Sequence, residues 1–133
     1  MYKIYKILSY TLLPVILINL FLRIIKKKED NVRYVERYGK TNYEFNNSEK
    51  IIWIHASSIG EFKSSDLIIE NYYKSFKILV TTTTKTSAEY IQKYYSDKVI
   101  HQYIPFDLPI WCSRFIDFWK PILILWIESD IWP

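Results

Sequence analysis

A chain of 133 residues has room for one ordinary domain, and a composition that is 50% hydrophobic and 18% aromatic excludes a disordered segment and calls for a packed core. The formal charge of +4 is unevenly placed: residues 1–40 carry nine Lys/Arg against three Asp/Glu, +6, and residues 41–133 carry nine against eleven, −2. Basic character confined to one end excludes a nucleic-acid-binding face spread over the domain and fits attraction of the N-terminal segment to anionic lipid head groups. The single Cys112 excludes an intramolecular disulfide, in keeping with a reducing compartment.

Ile7 to Leu22 is an uncharged run of 16 residues, just short of the ~17–25 that span a bilayer, with Lys6 and Arg23 placed to snorkel and extend it. Pro14 predicts a kink, and Tyr2, Tyr5 and Tyr10 cluster at one end as interfacial aromatics do. Arg23, Lys26, Lys27, Lys28, Arg33 and Arg37 follow the run, with only Lys3 and Lys6 before it, so the positive-inside rule puts the downstream part in the cytoplasm. Spanning the bilayer, lying in its interface, or packing as a core helix all fit the run; a signal peptide fits poorly, since no small-residue cleavage site follows. Residues 1–25 are thus a hydrophobic membrane-associated segment with Arg23, Lys26, Lys27 and Lys28 as membrane contacts. Residues 26–50 read as a basic linker with a short amphipathic helix from Arg33, stopped by Gly39 in a C-capping position.

From Ile51 the pattern becomes rhythmic. Strands are predicted at Ile51–His55, Lys77–Thr82, Val99–Ile104 and Ile122–Ile127, each separated by enough chain for a crossover helix, which means a parallel sheet. The predicted helices are Glu61–Phe76, Ser87–Tyr95 and a third in which Asp107 caps and Pro109 occupies the first turn, ended by Pro121. Polar residues then gather after the strands: His55, Ser57, Ser58 and Glu61 after the first, Thr81–Thr84 and Thr86 after the second, Asp107 after the third, Glu128 and Asp130 after the fourth. In an open parallel sheet this carboxyl edge holds the ligand crevice, and its carboxylates suit acid/base work or hydroxyl recognition.

Neither G-x-G-x-x-G, G-x-x-x-x-G-K-[ST] nor G-x-S-x-G occurs, which removes support for dinucleotide, P-loop and serine-hydrolase chemistry. His55 and His101 lie in different strands without a metal-ligand spacing, so they read as satisfied strand-end histidines and no metal site is assigned. Gly60, one of only two glycines, is expected to serve a positive φ or the close approach of a ligand. Glu61 reads equally as a working carboxylate and as a first-turn residue favoured by the helix dipole. Thr81–Thr84 divide between β-branched strand residues and contacts to phosphate or sugar, and Asp107 reads more as a cap than as a catalyst.

Four ordered motifs carry a family resemblance. Trp53-Ile54-His55-Ala56-Ser57-Ser58-Ile59-Gly60-Glu61 resembles the W-I-H-A-x-S-x-G-E motif of the 3-deoxy-D-manno-octulosonic acid (Kdo) transferases. Val80–Thr86 is similar to their V-T-T-x-T-x-T, Tyr103–Pro109 to Y-x-P-x-D-x-P, and Ile127–Pro133 to a run ending E-T-E-L-W-P. Upstream, Glu36-Arg37-Tyr38-Gly39 after an apolar start resembles the family's E-R-x-G element and membrane-associated N-terminus. Ser87 stands where the family usually has Gly, and Asp130 where it usually has Glu.

The resemblance implies an α/β fold: a Rossmann-like parallel sheet with helices on both faces, the N-terminal half of a GT-B glycosyltransferase, preceded by an N-terminal membrane helix. Residues 51–133 would be its acceptor-side domain, and a second domain holding most of the CMP-Kdo site would follow. It implies transfer of Kdo from CMP-Kdo to the lipid A precursor (lipid IVA) in lipopolysaccharide synthesis, on the cytoplasmic face of the inner membrane, with no cofactor or catalytic metal. Glu61 would be the general base and Glu128 a second essential carboxylate. Ser57, Ser58, Gly60, Thr82, Thr84, Asp107 and Asp130 would bind the acceptor. Charge suggests in addition that Arg23 to Arg37 face the membrane and the acceptor's phosphates. The alternative is a non-catalytic, truncated membrane-bound module that binds acceptor lipid or a partner chain.

Overall fold

The computed structural model describes residues 1–44, 46 and 48–128. Its elements in chain order are α1 (Tyr2–Thr11), α2 (Leu13–Ile25), a 3₁₀ helix (Arg33–Tyr38), β1 (Ile51–Ala56), α3 (Ile59–Lys63), α4 (Asp66–Tyr72), β2 (Lys77–Thr82), α5 (Lys85–Tyr95), β3 (Ile100–Tyr103), α6 (Pro109–Trp119) and β4 (Leu123–Ile127). The four strands form one parallel sheet in the order β3-β2-β1-β4. β1 is central and buried along its whole length, as a strand covered on both faces must be.

Strand alternation sorts β1 between two cores. Ile52, Ile54 and Ala56 join Phe62, Ile69, Ile78, Val80 and Ile91 under α3, α4 and α5. Ile51 and Trp53 join Leu79, Phe115 and Trp119 under α6. Helices therefore cover both faces, and each fully buried side chain of this size contributes ~1.5–3 kcal/mol. The buried indoles are also satisfied: Trp53 Nε1 donates to Thr81 Oγ1 at 2.8 Å and Trp119 Nε1 to Gln102 Oε1 at 2.9 Å.

The predicted strands are found within a residue of their expected bounds, whereas three helices differ. The helix expected over 61–76 starts at Ile59 and is interrupted after Lys63. Ser64 Oγ and Ser65 Oγ bond back to the carbonyls of Glu61 and Phe62, both at 2.6 Å, and their amides take tighter i→i+3 bonds, which interrupts the α-ladder while still delivering Phe62 and Ile69 to the core. α5 begins at Lys85 because Thr84 caps it, its hydroxyl accepting from Ser87 N at 3.2 Å. Asp107 is not a cap: Leu108 occupies that position without a side-chain bond, and Asp107 Oδ1 accepts from the Tyr5 hydroxyl of α1.

The expected N-terminal membrane helix is two helices bent by 48° at Leu12. Pro14 has no amide to give the Tyr10 carbonyl, so the ladder breaks there. Among the described residues no single helix is long and apolar enough to cross a membrane; α1 and α2 meet that requirement only together, by length and composition. α2 closes in a Schellman arrangement, Lys27 N to Ile24 O at 3.0 Å and Lys28 N to Arg23 O at 2.9 Å, with Lys27 at φ 57° in the left-handed position where glycine is usual.

Within the segment expected as a basic linker, residues 29–39 are packed against the sheet. Glu29 and Arg37 are each 1% exposed and paired, Nη2 to Oε1 at 3.0 Å. Arg33 forks onto Glu36 at 2.8 and 2.9 Å and donates to the His101 ring and carbonyl, both at 2.9 Å, while Glu36 Oε2 accepts from Tyr103 N at 2.8 Å. The 3₁₀ helix is therefore stitched to β3, and Arg33 and Arg37 turn inward, contrary to the charge-based expectation that they face a membrane. Gly39 closes this helix at φ 72°, as expected, and a Cβ there would run into the Trp111 carbonyl of α6.

Candidate functional site

β1 is the strand from which the chain crosses to β2 on one side and lies beside β4 on the other. This is the switch point of the sheet, and the crevice outside its carboxyl end is where such folds place ligands. The last paired residues are Ala56 of β1 and Ile127 of β4, so the chain emerges side by side at Ser57 and Glu128.

The turn after β1 is built as a capping box. Ser58 Oγ accepts from Glu61 N at 3.2 Å, and Glu61 Oε2 accepts from Ser57 N at 2.8 Å and Ser58 N at 3.2 Å. Ser57, Ser58, Gly60 and Glu61 thus form one unit, with the carboxylate oriented by backbone donors. Gly60 is helical, not at positive φ, and a Cβ there would meet nothing within 4 Å. The positive-φ expectation is corrected; the open space beside Gly60 leaves room for a ligand's approach.

His55 stands behind this turn at 3% exposure. Its Nδ1 bonds Thr81 Oγ1 at 2.9 Å, its Nε2 lies 3.5 Å from Ser57 Oγ, and its ring stacks on Trp126 with centroids 4.1 Å apart. Burial lowers its pKa below the usual 6.5 against the pull of Thr81, Glu128 and Glu61, leaving a neutral imidazole at neutral pH. Glu61 is linked to this histidine through Ser57, whose amide it accepts from and whose Oγ lies near Nε2. Glu128 is tied to the group by Trp126 Nε1, which donates to Oε1 at 2.7 Å. Beside them a cavity of about 460 Å³ opens between β1, β4 and α6, lined among others by Trp53, His55, Pro105, Asp107, Cys112 and Trp126. Burial, then the nearby Asp107, pushes the Cys112 thiol up, and its Sγ lies 3.5 Å from the Phe106 carbonyl.

The other sequence-predicted acceptor residues are dispersed. Thr82 is 0% exposed with its hydroxyl against His101 Nε2 at 2.8 Å, so it presents no surface to an acceptor. Since Arg33 can only donate to His101 Nδ1, the ring proton is on Nε2 and Thr82 accepts it. Thr84 is exposed and serves as the α5 cap, Asp107 is engaged by Tyr5, and Asp130 lies outside the described residues. Of the membrane-contact residues, Lys26, Lys27 and Lys28 are exposed, whereas Arg23 is half-buried and ion-paired with Glu29 at 3.2 Å. Among the described residues no cluster of three or more His, Cys, Asp or Glu could hold a metal ion.

Two features escaped the sequence. Trp53, His55, Thr81 and Trp126 form one hydrogen-bonded and stacked chain, signalled only by the i, i+2 spacing of Trp53 and His55. Arg37 donates to the carbonyls of Thr83 and, at 3.3 Å, Ile104, bracing the carboxyl ends of β2 and β3.

Comparisons with known proteins bear on these positions. The family model described as 3-deoxy-D-manno-octulosonic-acid transferase (kdotransferase) matches residues 32–133. A 3-deoxy-D-manno-octulosonic acid transferase of Rickettsia bellii is 35% identical over all of this chain and 32% of its own length. A probable mitochondrial enzyme of the same name from Arabidopsis thaliana is 34% identical over 99% of this chain and 30% of its own length, and that of Haemophilus influenzae 33% identical over 90% and 29%. No solved structure matches. The chain spans about a third of the length of these curated relatives. With the family's model matching everything from Val32 onward, including the Glu61 turn and Glu128, the chain belongs to the 3-deoxy-D-manno-octulosonic-acid transferase family.

Proposed function

We propose that this chain supplies the acceptor side of a Kdo transferase, corresponding to the N-terminal half of a GT-B enzyme that moves Kdo from CMP-Kdo to the lipid A precursor at the cytoplasmic face of the inner membrane. The observation that carries the reading is the chain of contacts at the sheet's switch point, Glu61 to Ser57 to His55 and His55 to Trp126 to Glu128, within the motifs that carry the family resemblance. Glu61 accepts the proton of the attacking acceptor hydroxyl as the new glycosidic C–O bond forms and CMP departs with the bonding pair. Its backbone donors hold the carboxylate in one orientation, and positioned bases of this kind contribute ~10²–10⁴-fold in rate. Glu128, held by Trp126, orients the acceptor from the adjacent strand, and the apolar α1–α2 pair keeps the site at the lipid surface.

Glu61→Gln, made in the protein as its gene encodes it, tests this. Gln at this position still accepts the Ser57 and Ser58 amides, so the capping box and the fold persist while the base is lost. Kdo transfer is expected to fall ~100-fold or more with unchanged melting. Undiminished transfer would remove Glu61 as the base, and absence of transfer in the unmutated protein would leave the binding-module reading.

A further inference from the structure

We infer that α1 is an autoinhibitory arm whose Tyr5 hydroxyl occupies Asp107 in the place of a ligand hydroxyl. The neighbouring α2 is seated on the domain: Leu20 is 2% exposed, Leu13 and Ile16 are half-buried on the same side, and Arg23 pairs with Glu29 at 3.2 Å. α1 has no such seat. Of its ten residues only Ser9, towards the bend, is buried, and the other nine are exposed. Among the described residues the one side-chain hydrogen bond from α1 to the rest of the chain is Tyr5 to Asp107. Pro14 has already removed a bond of the helical ladder at the 48° break between the helices, so α1 pivots there without giving up a packed apolar face.

The contact falls where it competes with binding. Asp107 lines the cavity that opens beside His55 and Trp126, and Tyr5 is also near Cys112 of the same lining. The rest of that lining is apolar, aromatic or imidazole apart from the thiol, so Asp107 is its one carboxylate. A carboxylate so placed accepts from the hydroxyl of a polar ligand, and the phenol presents the same O–H donor from within the protein. While Tyr5 holds Asp107, an entering hydroxyl has to displace it, and the apparent affinity of the cavity is scaled down to the fraction of molecules with the arm away. An exposed hydrogen bond to a carboxylate biases such an equilibrium about tenfold. That keeps the arm engaged in the empty protein, yet a ligand with several hydroxyls displaces it. The inference deepens the acceptor reading above and rests on it only for the identity of the ligand; the arm itself is tested without transfer.

Cys112, the single cysteine, reports on the cavity. The detergent-solubilised full chain is treated with iodoacetamide at one fixed pH, and alkylation of Cys112 is followed by mass spectrometry. Tyr5→Phe, which removes only a hydroxyl from an exposed residue, is expected to raise the rate about tenfold. Tyr2→Phe, the same deletion one turn away on a side chain whose ring contact stays within α1, is expected to leave it at the parent value. In the transfer assay Tyr5→Phe is expected to lower KM for the acceptor by a similar factor with kcat unchanged. Faster alkylation in Tyr5→Phe alone supports the arm, whether or not the chain transfers Kdo. Equal alkylation of Tyr5→Phe and parent overturns it, as does an equal rise in both variants, which would mean a general loosening of α1. An acceptor KM that Tyr5→Phe leaves unchanged overturns the competition with ligand. None of these outcomes depends on Glu61 being the base, which Glu61→Gln decides separately.

Discussion

Replacing Arg37 by Met tests whether the segment before the sheet is an integral part of the domain. The side chain is 1% exposed, its Glu29 partner 0%, and the contact is double, Nη2 and Nε to Oε1 at 3.0 and 3.2 Å. The guanidinium also donates to the carbonyls of Thr83 and Ile104 and lies over the Tyr103 ring at 4.7 Å. Burial pulls its pKa down and Glu29 pulls it back up, so the arginine remains charged in place. Met keeps the apolar stem but leaves Glu29 buried. Its remaining cation, Arg23 Nη2, stands 3.2 Å from Oε2 without making a hydrogen bond. Breaking one partner of a buried pair costs ~3–5 kcal/mol, and losing two charge-assisted bonds to carbonyls puts the total toward the upper end. Against a domain stability of ~5–15 kcal/mol this is a large fraction. Urea unfolding of the detergent-solubilised chain, followed by tryptophan fluorescence, should show the midpoint fall accordingly. The double variant Glu29→Gln, Arg37→Met should be ~2 kcal/mol or more better than the sum of the single changes, because the orphaned charge has gone. A loss below ~1 kcal/mol for Arg37→Met, or strict additivity, would refute the reasoning.

Two further outcomes follow from the same region. Burial and the nearby Arg33 and Arg37 cations push His101 down to about 3, against an ordinary 6.5. Below pH ~6.5 the unfolded chain therefore takes up a proton that the folded chain refuses, and stability falls as pH drops from 6.5 toward 3, by ~2 kcal/mol at pH 5; His101→Asn should flatten that slope in unfolding curves measured across the range. Gly39→Ala should cost ~2 kcal/mol or more, since φ of 72° and the Trp111 carbonyl both oppose a Cβ, and a thermal melt unchanged from the parent would contradict the close packing of the 3₁₀ helix on α6.

The sequence by itself determined the parts that depend on near neighbours. Runs such as Ile51–Ala56 and Lys77–Thr82 are strands because apolar, β-branched residues between polar turns have one way to be buried, and the crossover spacing made the sheet parallel. The Glu61 turn was legible as a strand-to-helix junction, whereas its closure as a capping box by Ser58 and Glu61, three apart, came from the structure. The gathering of Glu61 and Glu128 followed from the rule that a parallel sheet collects its functional loops at one edge. Only the tertiary structure decided which of those loops meet. Thr82 and His101 are both polar strand-end residues, yet they satisfy each other, while His55 is held by Thr81 and stacks on Trp126. The inward turn of Arg33 and Arg37 was equally hidden, because a basic residue reads as a surface charge until its partners, some 8 to 68 positions away, are brought to it. Local patterning selects elements, whereas pairing of buried charges depends on contacts distant in sequence, and those exist only once the sheet has formed. The glutamate turn that opens α3 was thus readable from the chain, and the histidine, indole and second carboxylate around it were assembled by the fold.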